Sequence, residues 1–411
     1  MPIITAYNPI KMLRDFLKME ASGGLLLIFF AILAMLVANS PLSGWYHHFL
    51  HESYLKVQLG PLILDKHIIH WVNDGLMTIF FFLVGLEIKR EMLEGALSSP
   101  AKAILPGLAA VGGMVVPGTI YYYMNATDPI AIKGWAVPTA TDIAFAVGVL
   151  SLLGRKVPLA LKVFLLALAI FDDLGAIIII ALFYSQSLDM FNLLVGLFFV
   201  LGLMGLNRSN VSSGSMYLLL GMGLWWCVLK SGVHATLAGV VVAFCIPLSI
   251  PGERRSLLRQ LEHDLHPLVA LFILPMFAFA NAGVNLEGIT INALFEPVTV
   301  GIIAGLFLGK QLGIFGATWL AVKLRFAPLM HATSWPQVWA VSMIAGIGFT
   351  MSIFVATLGF AGDPSIYITE AKLGILIGSA ISAVSGLILL WLFSRKNDDM
   401  DEAEEDKIAC E

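Results

Sequence analysis

The segment Leu165-Leu-Ala-Leu-Ala-Ile-Phe-Asp-Asp-Leu-Gly-Ala-Ile-Ile-Ile-Ile-Ala181 decides the fold class of this chain. Apart from the adjacent residues Asp172 and Asp173, it carries no charged or hydroxyl side chain. A segment this long and this apolar favours a helix that crosses a bilayer. Placing a charged side chain at the centre of a membrane costs about 2.5–3.5 kcal/mol of free energy. Each buried carboxylate is therefore expected to have an oppositely charged partner or a function.

Composition extends this interpretation to the whole chain. Of 411 residues, 58% are apolar and only 13% are charged, which is too little charge to cover a soluble surface. The net charge of −4 gives no indication of a nucleic-acid partner, and the three cysteines do not form a disulfide framework.

The sequence predicts an all-α polytopic membrane protein with one membrane domain, residues 1–394. Turn signals and charge clusters divide this domain into twelve predicted transmembrane helices, near 21–40, 68–94, 103–125, 135–152, 159–184, 190–207, 214–229, 232–248, 257–282, 298–322, 337–360 and 368–393. Residues 54–66 predict a hairpin on the outer surface, with an irregular loop as the alternative. Residues 395–411 are acidic and predict a disordered cytoplasmic tail.

The distribution of basic residues along the chain predicts which side of the membrane each loop occupies. With both termini in the cytoplasm, 18 of the 24 Lys and Arg residues fall on the cytoplasmic side and five fall outside. This asymmetry follows the positive-inside rule and favours an even number of spans. The remaining basic residue is Lys310, within the tenth span.

Four charged residues are predicted at membrane depth: Asp142, Asp172, Asp173 and Lys310. One interpretation is a salt bridge that only holds helices together. The adjacent aspartates argue against a purely structural salt bridge. Neighbouring residues on a helix point about 100° apart, so Asp172 and Asp173 cannot both face one lysine. Two carboxylates this close cannot easily both ionise, so they can exchange a proton for a small hard cation.

Cation ligands also require irregular backbone in the membrane. Ala136-Val-Pro-Thr-Ala-Thr-Asp142 and Ala345-Gly-Ile-Gly-Phe-Thr350 predict two interrupted helices, each the middle one of three. Such a pair is typical of inverted-topology repeats that cross at mid-membrane. For the second string, close helix packing through Gly-x-Gly is the alternative.

Several strings carry a family resemblance, in order from about Lys11 to Trp391. The chain resembles the bacterial NhaA sodium/proton antiporters in Val84-Gly-Leu-Glu-Ile-Lys-Arg-Glu91, Ala140-Thr-Asp-Ile-Ala-Phe-Ala146, Phe171-Asp-Asp-Leu-Gly-Ala176, Ser231-Gly-Val-His-Ala-Thr236, Leu261-Glu-His-Asp-Leu-His-Pro267, Phe277-Ala-Phe-Ala-Asn-Ala-Gly283 and Gly346-Ile-Gly-Phe-Thr-Met-Ser352.

The resemblance implies a role for each matching residue. Asp173 is expected as the main Na⁺ carboxylate and Asp172 as its partner, with Thr141 and Asp142 at the crossing of the interrupted helices. Lys310 is expected either to neutralise helix ends or to release a proton when the ion binds, and physics permits both.

The resemblance also implies a pH-sensing mouth on the cytoplasmic side. Its members are Glu87, Arg90, Glu91, Glu262, His263 and His266, with His234 as a further pH-linked position. From the residues alone, the alternative is a solvated helix end with ordinary salt bridges, and for His234 a structural role.

The resemblance implies a pH-regulated, electrogenic antiporter that exports Na⁺ or Li⁺ in exchange for H⁺. It implies a homodimer among lipid in a bacterial inner membrane, with no cofactor. Two alternatives are an intramembrane aspartyl protease and a passive cation channel. Glu262 with His266, and His47, His48 and His51, allow opportunistic zinc binding at most.

Overall fold

The structure, a computed structural model, describes residues 22–59, 62–95, 97–153, 157–185, 188–249, 256–287, 291–330 and 333–410. For residues 59, 62 and 395–410 it describes only the backbone. Helices make up most of this part of the chain, and a two-stranded sheet is the β structure within it.

The helical elements are numbered in chain order. They are α1 (Ser22–Ala38), α2 (Ser43–His47), α3 (Ile68–Leu93), α4 (Pro100–Met124), α5 (Ala131–Thr139, in 3-10 geometry), α6 (Ile143–Ser151), α7 (Leu159–Phe183), α8 (Met190–Arg208), α9 (Gly214–Lys230), α10 (Thr236–Cys245), α11 (Leu257–Ala282), α12 (297–323), α13 (Trp335–Ile344), α14 (Phe349–Gly359) and α15 (Ser365–Cys410).

Seven helices in the described ranges are long and apolar enough to cross a membrane, and ten candidates result if each bent pair is one span. In the first bent pair α1 meets Ser43–Glu52 at 116°. In the other two, α5 meets α6 at 40° and α13 meets α14 at 48°. Helices α9 and α10 are apolar but shorter. The chain is therefore a polytopic, mostly helical membrane protein.

The hairpin lies where the sequence predicted one. Strand β1 (Tyr54–Leu59) pairs antiparallel with β2 (Leu62–His67), so that Tyr54 faces His67 and Lys56 faces Asp65. The Trp71 indole at the start of α3 donates to Leu55 O at 3.1 Å and fixes the hairpin to that helix. The predicted turn at Gly60-Pro61 lies outside the described residues.

Helices α4 and α12 pack at backbone contact. A Cβ atom at Gly112 would lie only 2.3 Å from Gly313 O, so this crossing requires glycine. Small residues let membrane helices approach closely, and tight packing replaces the hydrophobic effect inside a bilayer. The crossing fixes the position of Lys310, which lies one turn before Gly313 and is fully buried.

The last helix differs from the sequence-based expectation. Its backbone stays helical to Cys410, through the acidic segment for which the sequence predicted disorder. The local cause is composition, because Glu, Ala, Lys and Met are strong helix formers and neither Gly nor Pro interrupts residues 395–410.

Candidate functional site

The two broken helices meet at their breaks. Pro138 removes a backbone donor in α5, and the chain is extended at Ala140 and Asp142 before α6 begins. The Asp142 backbone N–H donates to Ile347 O at 2.7 Å, and the Ser352 hydroxyl donates to Val137 O at 2.8 Å. Backbone groups that a continuous helix would satisfy internally are thus satisfied across the two breaks.

Glycine makes the second break possible. A Cβ atom at Gly346 would lie 2.4 Å from Leu306 O of α12, so only glycine fits beside that helix. The backbone N–H groups of Gly348 and Phe349, at the start of α14, donate to the Ser379 hydroxyl of α15 at 3.3 and 3.1 Å. The break is therefore held from α12 and from α15.

Asp142 connects the two broken helices. Its Oδ1 atom caps α6 by accepting from Phe145 N at 2.9 Å. Its Oδ2 atom accepts from Thr350 N at 3.0 Å and from the Thr350 hydroxyl. With both oxygens bonded to the protein and the side chain buried, Asp142 holds the start of α6 against the start of α14.

Asp128 fixes the beginning of α5, outside the membrane-spanning segments. Its Oδ1 atom accepts from Ile130 N at 2.8 Å and Ala131 N at 3.1 Å, and its Oδ2 atom accepts from the Tyr367 hydroxyl at 2.8 Å. The backbone donors, that of Ala131 first, lower the pKa of the Asp128 carboxyl. The start of α5 is thereby tied to α15.

Lys310 and Asp172 form a buried ion pair. The Lys310 ammonium lies 2.5 Å from Asp172 Oδ2 and donates to the Thr141 hydroxyl at 2.9 Å. Thr141 can donate its single hydroxyl proton to Asp172 Oδ2 at 2.6 Å or to Ala345 O, the end of α13, at 2.9 Å. Helices α7 and α12 and both breaks therefore converge on one polar cluster.

Asp173 differs from its neighbour. It is 1% exposed, its Oδ2 atom has no hydrogen-bond partner, and it forms no ion pair with the other described residues. Asp172 also keeps one buried oxygen, Oδ1, without a partner there. Burying an ionised carboxylate without a partner costs free energy. A proton or a cation bound to Asp173 would remove that cost.

Comparison with known proteins identifies the family. Residues 14–390 match the family described as Na⁺/H⁺ antiporter 1. The Na⁺/H⁺ antiporter NhaA of Shewanella pealeana is 54% identical over 380 residues, 92% of this chain and 96% of that protein. The NhaA protein of Aeromonas hydrophila is 53% identical over 394 residues, 96% of this chain and 98% of its own. NhaA 1 of Pseudomonas putida is 54% identical over 381 residues, with 93% and 96% covered.

The chain belongs to the Na⁺/H⁺ antiporter 1 family. The resemblance inferred from the sequence strings is confirmed.

In this family member, part of the predicted cytoplasmic cluster comes together. Arg90 of α3 donates through Nε to both carboxylate oxygens of Glu262 of α11, at 3.0 and 2.9 Å. Its Nη1 atom also lies 2.5 Å from Glu91 Oε1. Glu87 lies one turn earlier on α3, half-buried.

The histidines of that cluster lie apart from its ion pairs. His263 and His266 are exposed on α11, and neither forms an ion pair within the ranges that the structure covers. A further pair, between Arg259 and Glu94, joins the same two helices and was not predicted from the sequence.

His234 lies in a separate polar group. Its Nδ1 atom is 2.8 Å from the Thr236 hydroxyl, and its Nε2 atom is 3.9 Å from Asp74 Oδ1. The ring also packs edge-on against Phe354 of α14. Asp74 was not among the predicted residues, because a single Asp near the start of α3 gives no sequence signal of its distant partner.

Two other residues of the site were missed. Thr350 closes the second glycine string and could have been chosen, since a hydroxyl at a helix start favours polar contacts. Ser379 gave no signal, because it lies in a long apolar run. The zinc candidates gain no support: the described part of the chain holds no group of three or more His, Cys, Asp or Glu residues arranged for a metal ion.

Proposed function

We propose that this chain exports Na⁺, and also Li⁺, across the membrane in exchange for H⁺. One observation carries the proposal: of two adjacent buried carboxyl groups, Asp172 is paired with Lys310 and Asp173 has no ion-pair partner in the described part. The names of the relatives, Na⁺/H⁺ antiporters at 53–54% identity, support the same exchange. The function is that of a secondary transporter rather than of an enzyme.

The exchange follows from competition for the same oxygens. With no cation present, a proton on Asp173 removes an unpaired charge from a dry site. Na⁺ is a hard cation that takes carboxylate, hydroxyl and carbonyl oxygens. Its ligands would be Asp173, the free Oδ1 atom of Asp172 and the Thr141 oxygen, so its arrival expels the proton and the return of the proton expels the ion.

The architecture that we propose has twelve spans. Seven long apolar helices, three bent pairs and two shorter apolar helices in the described ranges support this proposal. Helices α4–α7 and α12–α15 each contain a bent pair in the middle, as expected of inverted repeats with interrupted helices that cross at mid-membrane. Alternating access would expose the Asp172–Asp173 pair first to one side and then to the other.

The exchange would be electrogenic and pH-regulated. Two proton-binding elements, the Asp173 carboxyl and the Asp172–Lys310 pair, can together release more than one proton for each Na⁺. The membrane potential would then help to drive export. The ion pairs of Arg90 with Glu91 and Glu262 join α3 to α11 at the predicted cytoplasmic mouth, which supports the proposal of a pH-sensing cluster there.

The wider setting is part of the proposal. Residues 1–394 would form one transporter domain in a bacterial inner membrane, with both termini in the cytoplasm and the β1–β2 hairpin outside. The hairpin would contribute to a homodimer. No cofactor is needed, because ion gradients supply the free energy of transport.

Everted membrane vesicles test the function. Respiration acidifies their interior, and Na⁺ added outside should drive protons out, which restores the fluorescence of a quenched amine dye. Asp173→Asn should abolish this recovery. Asp189→Asn is the matched control, because Asp189 caps α8 at the surface and Asn caps equally well.

The proposal fails if Asp173→Asn protein, inserted in normal amount, still gives the full recovery. Sodium flux without proton movement would indicate a channel, and cleavage of a membrane helix would indicate a protease.

A further inference from the structure

A group of histidines lies at the base of the hairpin, at the end of α3 opposite the cytoplasmic cluster. His51 belongs to the short helical segment after α2, His67 ends β2, and His70 lies in the first turn of α3. The start of α3 packs against the segment that carries His51, where Ile68 N donates to Ser53 O at 3.1 Å. Three elements therefore bring their histidines to one place.

These histidines contact other rings rather than acids. The centroid of the His51 ring lies 5.0 Å from that of His47, and the centroid of the His67 ring lies 4.0 Å from that of Tyr54 and 6.0 Å from that of His70. Within the described ranges, the histidines that form ion pairs with acids do not include His51, His67 or His70. A proton on any of these three rings would add a charge without a paired carboxylate.

Charged groups of both signs surround the three rings. The cations are Lys56 and Lys66 of the hairpin and Lys372 of α15, and the acids are Glu52, Asp65 and Asp74. The Glu52 carboxylate already lies 3.5 Å from His47 Nδ1 and 3.9 Å from His48 Nε2. The Asp74 carboxylate lies 3.9 Å from His234 Nε2. These acids balance the lysines while the histidines are neutral, and protonated histidines would give the group a net positive charge.

Lys372 faces this group from another part of the molecule. It lies on α15, the helix that also holds the second helix break through Ser379, and it is close enough to His51 for their charges to interact. Lys372 forms no ion pair with the residues that the structure describes. A protonated His51 would therefore repel α15 from the hairpin base.

His67 responds to a proton in a second way. Its Nδ1 atom is buried and has no hydrogen-bond partner in the described part of the chain. A protonated imidazole donates from both ring nitrogens, so the charged ring would have to move toward water to satisfy Nδ1. That movement would break the packing of His67 on Tyr54 at the base of the hairpin.

We propose that His51, His67 and His70 sense the pH on the hairpin side and, when protonated, open the junction between the hairpin base and α15. The inference rests on the proposed exchange by alternating access. Opening this junction favours the form of the transporter that faces the hairpin side, where Na⁺ leaves and protons enter. Histidine ordinarily titrates near about pH 6.5, so acidification on that side would promote proton uptake.

A distance measurement tests the junction without any transport. Spin labels are placed on Ile63→Cys in the hairpin and Ile366→Cys at the start of α15, both exposed, in a chain whose native cysteines are replaced by alanine. Double electron–electron resonance then compares the distance between the labels at about pH 8 and about pH 5.5. The triple variant His51→Gln, His67→Gln, His70→Gln removes the sensor, and His48→Gln is the matched control because its side chain is 68% exposed beside Glu52.

We expect the population with the longer distance to grow roughly fivefold on acidification in the labelled parent and in His48→Gln, a size typical of coupling between sites. The triple variant should show no growth. His67→Gln alone and Lys372→Met alone should each remove part of it, and these two provide the comparison if the triple variant does not fold.

Sodium efflux tests the consequence for transport. Right-side-out vesicles are loaded with radioactive Na⁺ at constant inner pH, and the outer pH is varied. The triple variant should match the wild type near pH 8 and release Na⁺ roughly fivefold more slowly near pH 5.5. His48→Gln should follow the wild type at both values.

An equal change of distance in the parent and the triple variant, or no change in the parent, would overturn the sensor. Equal efflux from the wild type and the triple variant at acidic outer pH would overturn its role in transport. A wild type that moves no Na⁺ against protons would instead reject the proposed function, and the label distances would still decide whether the junction responds to pH.

Discussion

The Lys310 ammonium lies 2.5 Å from Asp172 Oδ2, and neither side chain has exposed surface. In a dry interior the desolvation of two charges offsets most of their attraction, so such a pair adds little stability over matched apolar side chains. Removing only one partner should lower stability strongly, because the other charge is then buried without a partner. The pair should therefore behave as a unit, both in stability and in ion exchange.

Lys310→Met should lower the free energy of unfolding by about 3–5 kcal/mol, because Asp172 is left buried without its cation. The double variant Asp172→Leu with Lys310→Met should lose less than the single variant. Thermal unfolding in detergent measures both. Lys323→Met is the control, since Lys323 lies near the end of the same helix over the Trp319 ring and should cost under about 1 kcal/mol. Additive losses in the double variant would contradict a coupled pair.

Thr141→Val removes the hydroxyl that contacts Lys310, Asp172 and Ala345 O. We expect the KM for Na⁺ to rise roughly fivefold to thirtyfold, because a hydrogen bond at a charged site contributes about 1–2 kcal/mol. Thr141→Ser keeps the hydroxyl and should restore a near-normal KM. Sodium-dependent proton release from proteoliposomes gives these values. Equal KM values for the Val and Ser variants would remove Thr141 from the ion site.

Thr350→Val should weaken the junction of the two broken helices. Asp142 would lose the hydroxyl donor and keep the backbone N–H of residue 350, which predicts a loss of about 1–2 kcal/mol of stability. Thr357→Val is a matched control on α14, because the Thr357 hydroxyl bonds only within its own helix, to Phe354 O at 2.7 Å. Melting temperatures compare the two variants. A larger effect at Thr357 would show that the Asp142–Thr350 contact does not hold the junction.

Arg90→Gln should move the pH at which exchange begins, by roughly one unit, because it removes the cation that pairs with Glu91 and Glu262 and joins α3 to α11. Exchange rates across pH measure the midpoint, and the maximal rate should stay near normal. Arg259→Gln should move it less. The side chains of Arg259 and Glu94 are 60% and 43% exposed, against 30% and 17% for Arg90 and Glu262. An equal shift in both variants would argue against a specific sensor at Arg90.

Local features were predictable where one segment carries the signal. Pro138 and the glycines Gly346 and Gly348 predicted irregular backbone, and in the structure Pro138 lies one residue before the end of α5, while Gly346 and Gly348 lie between α13 and α14. The pair Asp172–Asp173 was placed at membrane depth from the hydrophobic run alone, and both side chains are buried.

Contacts between distant segments were not predictable. The sequence could not tell which of the two aspartates faces Lys310, because that depends on how α7 and α12 rotate against each other. It did not give Thr350 as the partner of Asp142, which is 208 positions away. The exposure of His263 and His266 likewise depends on which face of α11 packs against α3, and a single sequence with mixed charges does not decide that.

The most direct test of the account measures sodium-dependent proton release from proteoliposomes as a function of both Na⁺ concentration and pH. If Na⁺ and protons occupy the Asp172–Asp173 oxygens in turn, the KM for Na⁺ should rise as pH falls, by about tenfold per pH unit for each competing proton, while kcat stays constant. A KM that does not change with pH, or Na⁺ entry with no opposing proton flux, would contradict a shared site.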